Sequence, residues 1–356
     1  MNNRRHVHAV EWHSDQLVLL DQRKLPAEET YVICQCLEDA ILAIKNMTVR
    51  GAPAIGITAA YAAVLCANYH LGKVGSDDRN AMQTLMLSDL ETLRLARPTA
   101  VNLSWAVDQT LKIVNDFNIP SVGVPEALLN LAEAIHFDDV ENNKNMAELA
   151  CELMQKNAVL PFSIMTHCNA GSLATGGYGT ALGVARLAWD KNIIDMVYAD
   201  ETRPWLQGAR LTAWELKYED IPVCLNIDSA AAWLMSNKNI RWVVVGADRI
   251  AANGDVANKI GTFQLAITAK YHNVKVMVVA PSSTVDLSIE SGDLIDIEMR
   301  DGSELTRIKD HLIAPEGIQT VNPVFDVTPA TLIDAIVTEK GVIERPNRQK
   351  MLWVLS

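Results

Sequence analysis

The stretch FSIMTHCNAG (Phe162–Gly171) places a short apolar run directly before polar residues and a glycine. Four more apolar runs follow, each separated from the next by a segment long enough for a helix: Ile194–Ala199, Pro222–Asn226, Trp242–Ala247 and Val274–Ala280. Nearly continuous apolar runs of strand length are typical of strands that are covered on both faces. Strands that alternate with helices in this way predict a parallel, doubly wound α/β sheet.

The first half of the chain is more helical. The spacing of its apolar residues predicts helices over Leu37–Met47, Ile57–Ala67 and Val101–Val114. Near the start, Val7–Trp12 and Gln16–Leu20 predict a hairpin that turns at Ser14-Asp15. We therefore expect a smaller, mostly helical N-terminal domain with a small β element over residues 1–141, and the parallel-sheet domain over residues 142–356.

Composition excludes several classes of protein. Hydrophobic residues make up 49% and charged residues 21%, which predicts a packed globular chain rather than a disordered one. The net charge is −12, from 31 Lys and Arg against 43 Asp and Glu, so neither nucleic acid nor a membrane is an expected partner. The six cysteines form no CxxC pair and no signal peptide is recognisable at the start, which favours reduced thiols in the cytoplasm.

Cys168 follows the first apolar run and precedes a glycine-rich turn and a helix. Backbone N–H groups and a helix dipole at such a place can lower the pKa of a thiol, or bind phosphate. The alternative is a structural cysteine that ends a buried strand, and the pattern favours neither interpretation. The glycines form neither a Walker A loop nor a clean dinucleotide fingerprint.

Asp248 ends the fourth apolar run, where partial desolvation would raise its pKa and suit a general acid. A capping aspartate, or one paired with Arg249, is the structural alternative. Downstream, Asn258 and Lys259 precede a helix start, as contacts to sugar hydroxyls or phosphate would. Lys259 could equally be a solvated surface lysine, the commonest position for this residue type.

Two arginines precede helix starts. Arg50-Gly51-Ala52 stands before a proline-fixed turn and suits a small phosphate, although an exposed turn arginine is the simpler reading. Arg97 is likewise an arginine just before a helix start. A further polar cluster is formed by Arg203, Gln207 and Arg210. The histidines show no metal-ligand spacing, so no metal site is expected.

These residues lie in blocks that resemble the S-methyl-5-thioribose-1-phosphate isomerases of methionine salvage. The blocks run through nearly the whole chain in the family's order: VRGAPAIG (Val49–Gly56), RPTAVNLSWAVD (Arg97–Asp108), THCNAGSLAT (Thr166–Thr175), ADETRPWLQGARLTAWEL (Ala199–Leu216), VVGADRIAANGDVANKIGT (Val244–Thr262) and APEGIQTVNPVFDVTP (Ala314–Pro329). One departure is Ser104, where the family more often has an aromatic residue.

The resemblance implies a Rossmann-like C-terminal domain, a homodimer, and conversion of 5-methylthioribose 1-phosphate to 5-methylthioribulose 1-phosphate without a cofactor or metal. It places Cys168 and Asp248 on the family's catalytic positions. The substrate-binding positions that it implies are Arg50, Gly51, Ala52, Arg97, Gln207, Asn258 and Lys259.

Three alternatives accompany this reading. A ribose-1,5-bisphosphate isomerase of the same fold would need a cationic rather than an apolar site at C5. A non-catalytic regulatory subunit, as in the related guanine-nucleotide exchange factor of translation initiation, would have no need to keep both Cys168 and Asp248. A nicotinamide dehydrogenase is suggested by the parallel sheet alone.

Overall fold

The computed structural model describes residues 5–75, 78–97, 101–156, 158–308 and 311–355. Within this part of the chain, two compact units are distinguished. The N-terminal unit holds residues 6–143 and 171–179, and the C-terminal unit holds residues 144–170 and 180–355 with Arg5. The glycine-rich segment 171–179 therefore belongs to the N-terminal unit, although it follows the first strand of the C-terminal one.

The N-terminal unit begins with a three-stranded antiparallel sheet of β1 (Val10–His13), β2 (Gln16–Leu20) and β3 (Tyr31–Cys34). His13 pairs with Gln16, and Ser14 and Asp15 both have positive φ (48° and 63°). Two such residues make the tight turn whose twist matches a hairpin. The predicted hairpin is confirmed.

Helices make up most of the rest of this unit: α1 (Leu37–Lys45), α2 (Ala52–Val74), α3 (Arg79–Arg94), α4 (Val101–Val114) and α5 (Val124–Gln155). The residues of α2 from Ala54 to Ala67 are all buried, as expected for a helix that is apolar on every side. By length and composition α2 could cross a membrane, but 83% of its apolar window is buried inside the structure. It is the core helix of its unit. The final residues of α5 belong to the C-terminal unit.

The C-terminal unit is an α/β unit, as predicted. Its strands are β4 (Phe162–Thr166), β5 (Ile194–Asp200), β6 (Val223–Asn226), β7 (Ile240–Val245), β8 (Arg249–Ala251), β9 (Val256–Lys259), β10 (Lys275–Val279), β11 (Val285–Asp286), β12 (Arg307–Ile308), β13 (His311–Leu312), β14 (Phe325–Thr328), β15 (Ala335–Thr338) and β16 (Gly341–Glu344). Its helices are α6 (Ala181–Asp190), α7 (Ala213–Tyr218), α8 (Ala231–Asn237), α9 (Thr262–Tyr271), α10 (Ser303–Thr306) and α11 (Arg348–Leu355).

Seven strands form the main sheet in the order β16-β15-β10-β7-β4-β5-β6, parallel except for β16. From β4 the chain builds outward through β5 and β6, and from β7 it builds the other way through β10 and β15. The strand order therefore reverses between β4 and β7. In open α/β sheets, ligands bind beyond the carboxyl ends of the strands at such a switch point.

A second sheet of four strands has the order β11-β8-β9-β14. Its strands β8 and β9 are inserted directly after β7, and β11 and β14 come after β10. The fourth apolar run forms β7 two residues earlier than predicted, over Ile240–Val245 rather than Trp242–Ala247. The strand ends at Val245 because Gly246 and Ala247 lead into this insertion, where the amide of Asp248 donates to the carbonyl of Ala257 at 2.9 Å.

Candidate active site

Cys168 lies two residues beyond the end of β4 and is half-buried. Its φ of 62° is in the left-handed region, which is uncommon for a residue with a side chain. Two hydroxyls hold this conformation. The amide of Cys168 donates to Thr202 Oγ1 at 2.8 Å, and its carbonyl accepts from Thr212 Oγ1 at 2.5 Å. Backbone strain held by several contacts is a common feature of functional sites.

Asp248 lies three residues beyond the end of β7, and its side chain is exposed. The expectation of a partly desolvated carboxylate is wrong for this structure. The strand itself is buried, but the carboxylate stands beyond it, after the chain has left the sheet. A bound ligand would exclude water from Asp248.

The switch point brings these two residues to neighbouring strand ends. Gly246, two residues before Asp248, lies against Ala170, two residues after Cys168. A Cβ added to Gly246 would be 2.8 Å from the Cβ of Ala170. The loops that carry the thiol and the carboxylate are thus in direct contact.

Asn258 and Lys259 end strand β9, which pairs with β14. Both are buried, so the alternative of a solvated surface lysine is wrong. The ammonium of Lys259 lies 4.5 Å from the centre of the Phe325 ring, a cation–π distance. The amide of Asn258 donates to Thr262 Oγ1 at 3.0 Å, at the start of α9. A buried cation beside a helix start suits an anionic ligand.

Gln207 is 6% exposed, and its Oε1 atom is buried without a hydrogen-bond partner among the described residues. It directly precedes a π-helical turn, Gly208–Thr212, a feature that recurs at functional sites. Gly208 approaches the carbonyl of Asp200 so closely that a Cβ would be 1.6 Å away, so no other residue fits there. An unpartnered buried acceptor is costly, and a ligand is the natural partner.

The remaining predicted residues lie in the N-terminal unit. Gly51 caps α2 and Ala52 is its first residue, so the helix includes the proline and begins before the predicted Ile57. Arg50 and Arg97 are both half-buried. Residues 98–100, which follow Arg97 and complete the predicted helix start, lie outside the described residues.

The segment 171–179 is held against α5 within the N-terminal unit. The amide of Gly176 donates to Asp139 Oδ2 at 2.7 Å, and Nε2 of His136 donates to the Gly176 carbonyl at 2.6 Å. Burial raises the pKa of Asp139 to about 6, although the hydrogen bonds from Gly176 and Asn143 lower it. The glycine-rich turn was expected to offer its N–H groups to phosphate, but the Gly176 amide already has a protein partner.

Two side-chain groups among the described residues have the composition of a metal site, namely Cys66 with His70 and Asp89, and His167 with Asp200 and Asp228. Sequence spacing missed both, because each joins residues far apart in the chain. His70 already contacts Asp89 at 2.7 Å, and burial raises the pKa of the Cys66 thiol, which opposes the thiolate that a metal requires.

The chain is similar to proteins of known family and fold. Residues 48–345 match the initiation factor 2 subunit family. A methylthioribose-1-phosphate isomerase of Stutzerimonas stutzeri is 54% identical over 350 residues, which cover 98% of this chain and 96% of that protein. The crystal structure of 5-methylthioribose 1-phosphate isomerase from Pyrococcus horikoshii has a TM-score of 0.89 at 38% identity, covering 98% of this chain and 95% of that one.

A third similar protein carries a different name. The crystal structure described as translation initiation factor eIF-2B, subunit delta, from A. fulgidus has a TM-score of 0.88 at 36% identity, covering 98% of this chain and 99% of that one. Its full-length match shows that proteins named for isomerisation and for translation share this fold. The chain belongs to the initiation factor 2 subunit family, and within it to the group of the methylthioribose-1-phosphate isomerases.

Proposed function

We propose that the protein is an isomerase that converts 5-methylthioribose 1-phosphate to 5-methylthioribulose 1-phosphate, a step of methionine salvage. The observation that carries the proposal is the placement of Cys168 and Asp248 on neighbouring central strand ends, at the reversal of strand order. The high identity to proteins named for this reaction, over nearly the whole of both chains, supports it.

The substrate sets an unusual demand. Its phosphate is on the anomeric oxygen, so the ring cannot equilibrate with a free aldehyde as an ordinary aldose does. The enzyme must open the ring while the phosphate stays on C1. Opening breaks the bond between C1 and the ring oxygen, and that oxygen must gain a proton. Asp248, in its protonated form under a bound sugar, is the proposed donor.

The hydrogen on C2 then moves to C1, and the C2 hydroxyl loses its proton and becomes the carbonyl. That proton replaces the one that Asp248 gave up, so atoms and charge balance without an oxidant or reductant. In one route Cys168, as a thiolate, carries the C2 hydrogen as a proton through an enediol-like species. In the other, the hydrogen shifts directly as hydride, and Cys168 supports the developing charge.

The remaining site residues are proposed to bind the substrate. The buried ammonium of Lys259 supplies a cation for the phosphate. The unpartnered side-chain carbonyl of Gln207 supplies an acceptor for a sugar hydroxyl. Asn258 supplies an amide for a further contact to the substrate. Arg50, Gly51, Ala52 and Arg97 are proposed as further phosphate contacts.

We further propose a cytoplasmic homodimer. Leu225 and Ile227, at the edge strand β6, are exposed apolar side chains that a second copy would cover. Size-exclusion chromatography with light scattering tests this. A monomer at micromolar concentration would contradict it.

The direct test is incubation of the pure protein with methylthioribose 1-phosphate, followed by NMR. We expect the ketose to appear. Ribose 1,5-bisphosphate, run in parallel, tests the related isomerase, and preferred turnover of that substrate would replace the proposal. Turnover of neither substrate would favour a non-catalytic subunit, as the name of the A. fulgidus relative suggests. In D2O, deuterium at C1 of the product identifies the proton route, and its absence favours the hydride route over a base that exchanges its proton with solvent.

A further inference from the structure

His167, the residue before Cys168, takes no part in the chemistry proposed above, yet it is fully buried and both of its ring nitrogens have partners. Nδ1 lies 3.0 Å from Asp200 Oδ2, and Nε2 lies 2.8 Å from the carbonyl oxygen of Ile260. Both the His167 and Asp200 side chains are 2% exposed. His167 therefore connects the ends of three strands, β4, β5 and β9, through hydrogen bonds, in addition to packing in the core.

The partners determine where the protons are. The Ile260 carbonyl only accepts, so Nε2 must carry a proton. Asp200 Oδ1 already accepts from the amide of Asn226 at 2.7 Å, which stabilises the carboxylate form of Asp200. Burial raises the pKa of Asp200, but the hydrogen bonds from Asn226 and His167 act in the opposite direction. With Asp200 as a carboxylate, Nδ1 donates to Oδ2 and the ring is an imidazolium.

The surrounding charges favour this state. Burial alone lowers the pKa of His167, but the hydrogen bond and charge of Asp200 outweigh it, so the pKa is raised. Asp228 acts on His167 in the same direction, and Asp326 is a third carboxylate close enough to interact with it. Lys259, one residue before Ile260, is a cation near the ring, and its ammonium lies over the Phe325 ring.

The same ring fixes the geometry of two loops. Gly261 has a φ of 100°, and a Cβ added there would be 3.1 Å from Cε1 of His167. The ring therefore packs on the Lys259–Gly261 turn, while its own backbone continues into the left-handed turn at Cys168. Asp200 joins it to the end of β5, and the hydroxyl of Thr202, two residues further on, accepts from the Cys168 amide.

We propose that His167 is a positioning residue, held as an imidazolium by Asp200, which ties the turn that carries Cys168 to the turn that carries Lys259. Its kinetic consequence rests on the proposed function, because it assumes that Cys168 and Lys259 act on the substrate. Its protonation state does not depend on that function and is tested separately.

The first test is NMR of protein with ¹⁵N-labelled histidine, with His167→Gln used to assign the signal. At pH 8, where an ordinary histidine is neutral, we expect both ring nitrogens of His167 to carry a proton. A ring with a single proton at this pH overturns the proposal. This measurement tests the protonation state of His167 even if the protein turns over no sugar phosphate. Lack of turnover would contradict only the proposed function.

The second test is kinetic and uses two variants, each of which can keep one of the two hydrogen bonds of the His167 ring. His167→Gln can place an amide where Nε2 donates to Ile260, and His167→Asn can place one where Nδ1 donates to Asp200. We expect each to lose about 10²-fold in kcat with a smaller rise in KM, because misplacement of the reacting thiol lowers the rate more than misplacement of Lys259 lowers affinity.

Two further variants complete the set. Asp200→Asn leaves a neutral ring that still donates to Ile260, so we expect a smaller loss of kcat, about tenfold. His13→Gln, at an exposed histidine, is the matched control and should behave as the unchanged protein. Unchanged kcat in both His167 variants, or a rise in KM without a fall in kcat, overturns the positioning role.

Discussion

Gly51 lies directly against Ala174 within the N-terminal unit. A Cβ added to Gly51 would be 2.5 Å from both the Cα and the carbonyl oxygen of Ala174, and Gly51 has a φ of 94°. Backbone atoms cannot move aside as a flexible side chain can. Gly51, which the family resemblance places among the substrate contacts, is thus also required by the packing of the segment that follows Cys168.

Gly51→Ala should therefore destabilise the protein. We expect a loss of about 3 kcal/mol in the free energy of unfolding, from the positive φ together with the overlap with Ala174. Urea denaturation measures it. Gly72→Ala, in the exposed part of α2 with no atom within 4 Å of the added carbon, is the control and should stabilise by about 0.5–1 kcal/mol. Equal effects at the two glycines would contradict the packing argument.

Cys168→Ser should fold normally, because Thr202 and Thr212 hold only the backbone of Cys168. We expect kcat to fall by about 10³-fold. The serine hydroxyl stays un-ionised near neutral pH, so it is a far weaker base than the thiolate and carries no negative charge. The NMR assay for ketose measures turnover, and circular dichroism checks the fold. Cys224→Ser, at an exposed cysteine on β6, should retain full activity. Comparable activity in both variants would remove Cys168 from the chemistry.

Asp248→Asn should lose about 10²- to 10⁴-fold in kcat, because the amide cannot supply a proton to the ring oxygen. Since the side chain is exposed, the melting temperature should stay the same. Asp296→Asn changes another exposed carboxylate and should leave the rate unaltered. If Asp248→Asn turned over substrate at the normal rate, another group would have to be the acid.

Gln207→Met should separate binding from stability. The variant removes a buried acceptor without a partner, so the free energy of unfolding should rise by about 1 kcal/mol. If substrate is the missing partner, KM should rise about tenfold, the equivalent of one hydrogen bond. Steady-state kinetics and urea denaturation measure the two effects. An unchanged KM would mean that the substrate does not contact Gln207.

Asp139 should make stability depend on pH. Its pKa is raised to about 6 from 3.8, so its contribution is fully present below about pH 4 and is lost as the pH rises through 6. Asp139→Asn cannot ionise but can still accept from the Gly176 amide. Relative to the unchanged protein, the variant should gain about 3 kcal/mol between pH 4 and pH 7.5. A difference in melting temperature that is constant over this range would contradict the raised pKa.

Local pattern was enough to locate several of the elements. The run at Phe162–Thr166 forms β4 as predicted, and the turn at Ser14-Asp15 joins β1 and β2, because strand and hairpin signals depend on neighbours in the chain. The same local reasoning put Cys168 and Asp248 at strand ends. Their assignment as catalyst came from the resemblance, and it stays a prediction.

Tertiary structure alone decided the rest. The sequence cannot tell that β7 lies beside β4, nor that Lys259 is buried while Asp248 is exposed, because strand order and burial depend on residues far away in the chain. The contact of His167 with Asp200 and Ile260 likewise spans 33 and 93 positions. Short-range patterns carry no information on such pairs, since the chain must fold before they meet.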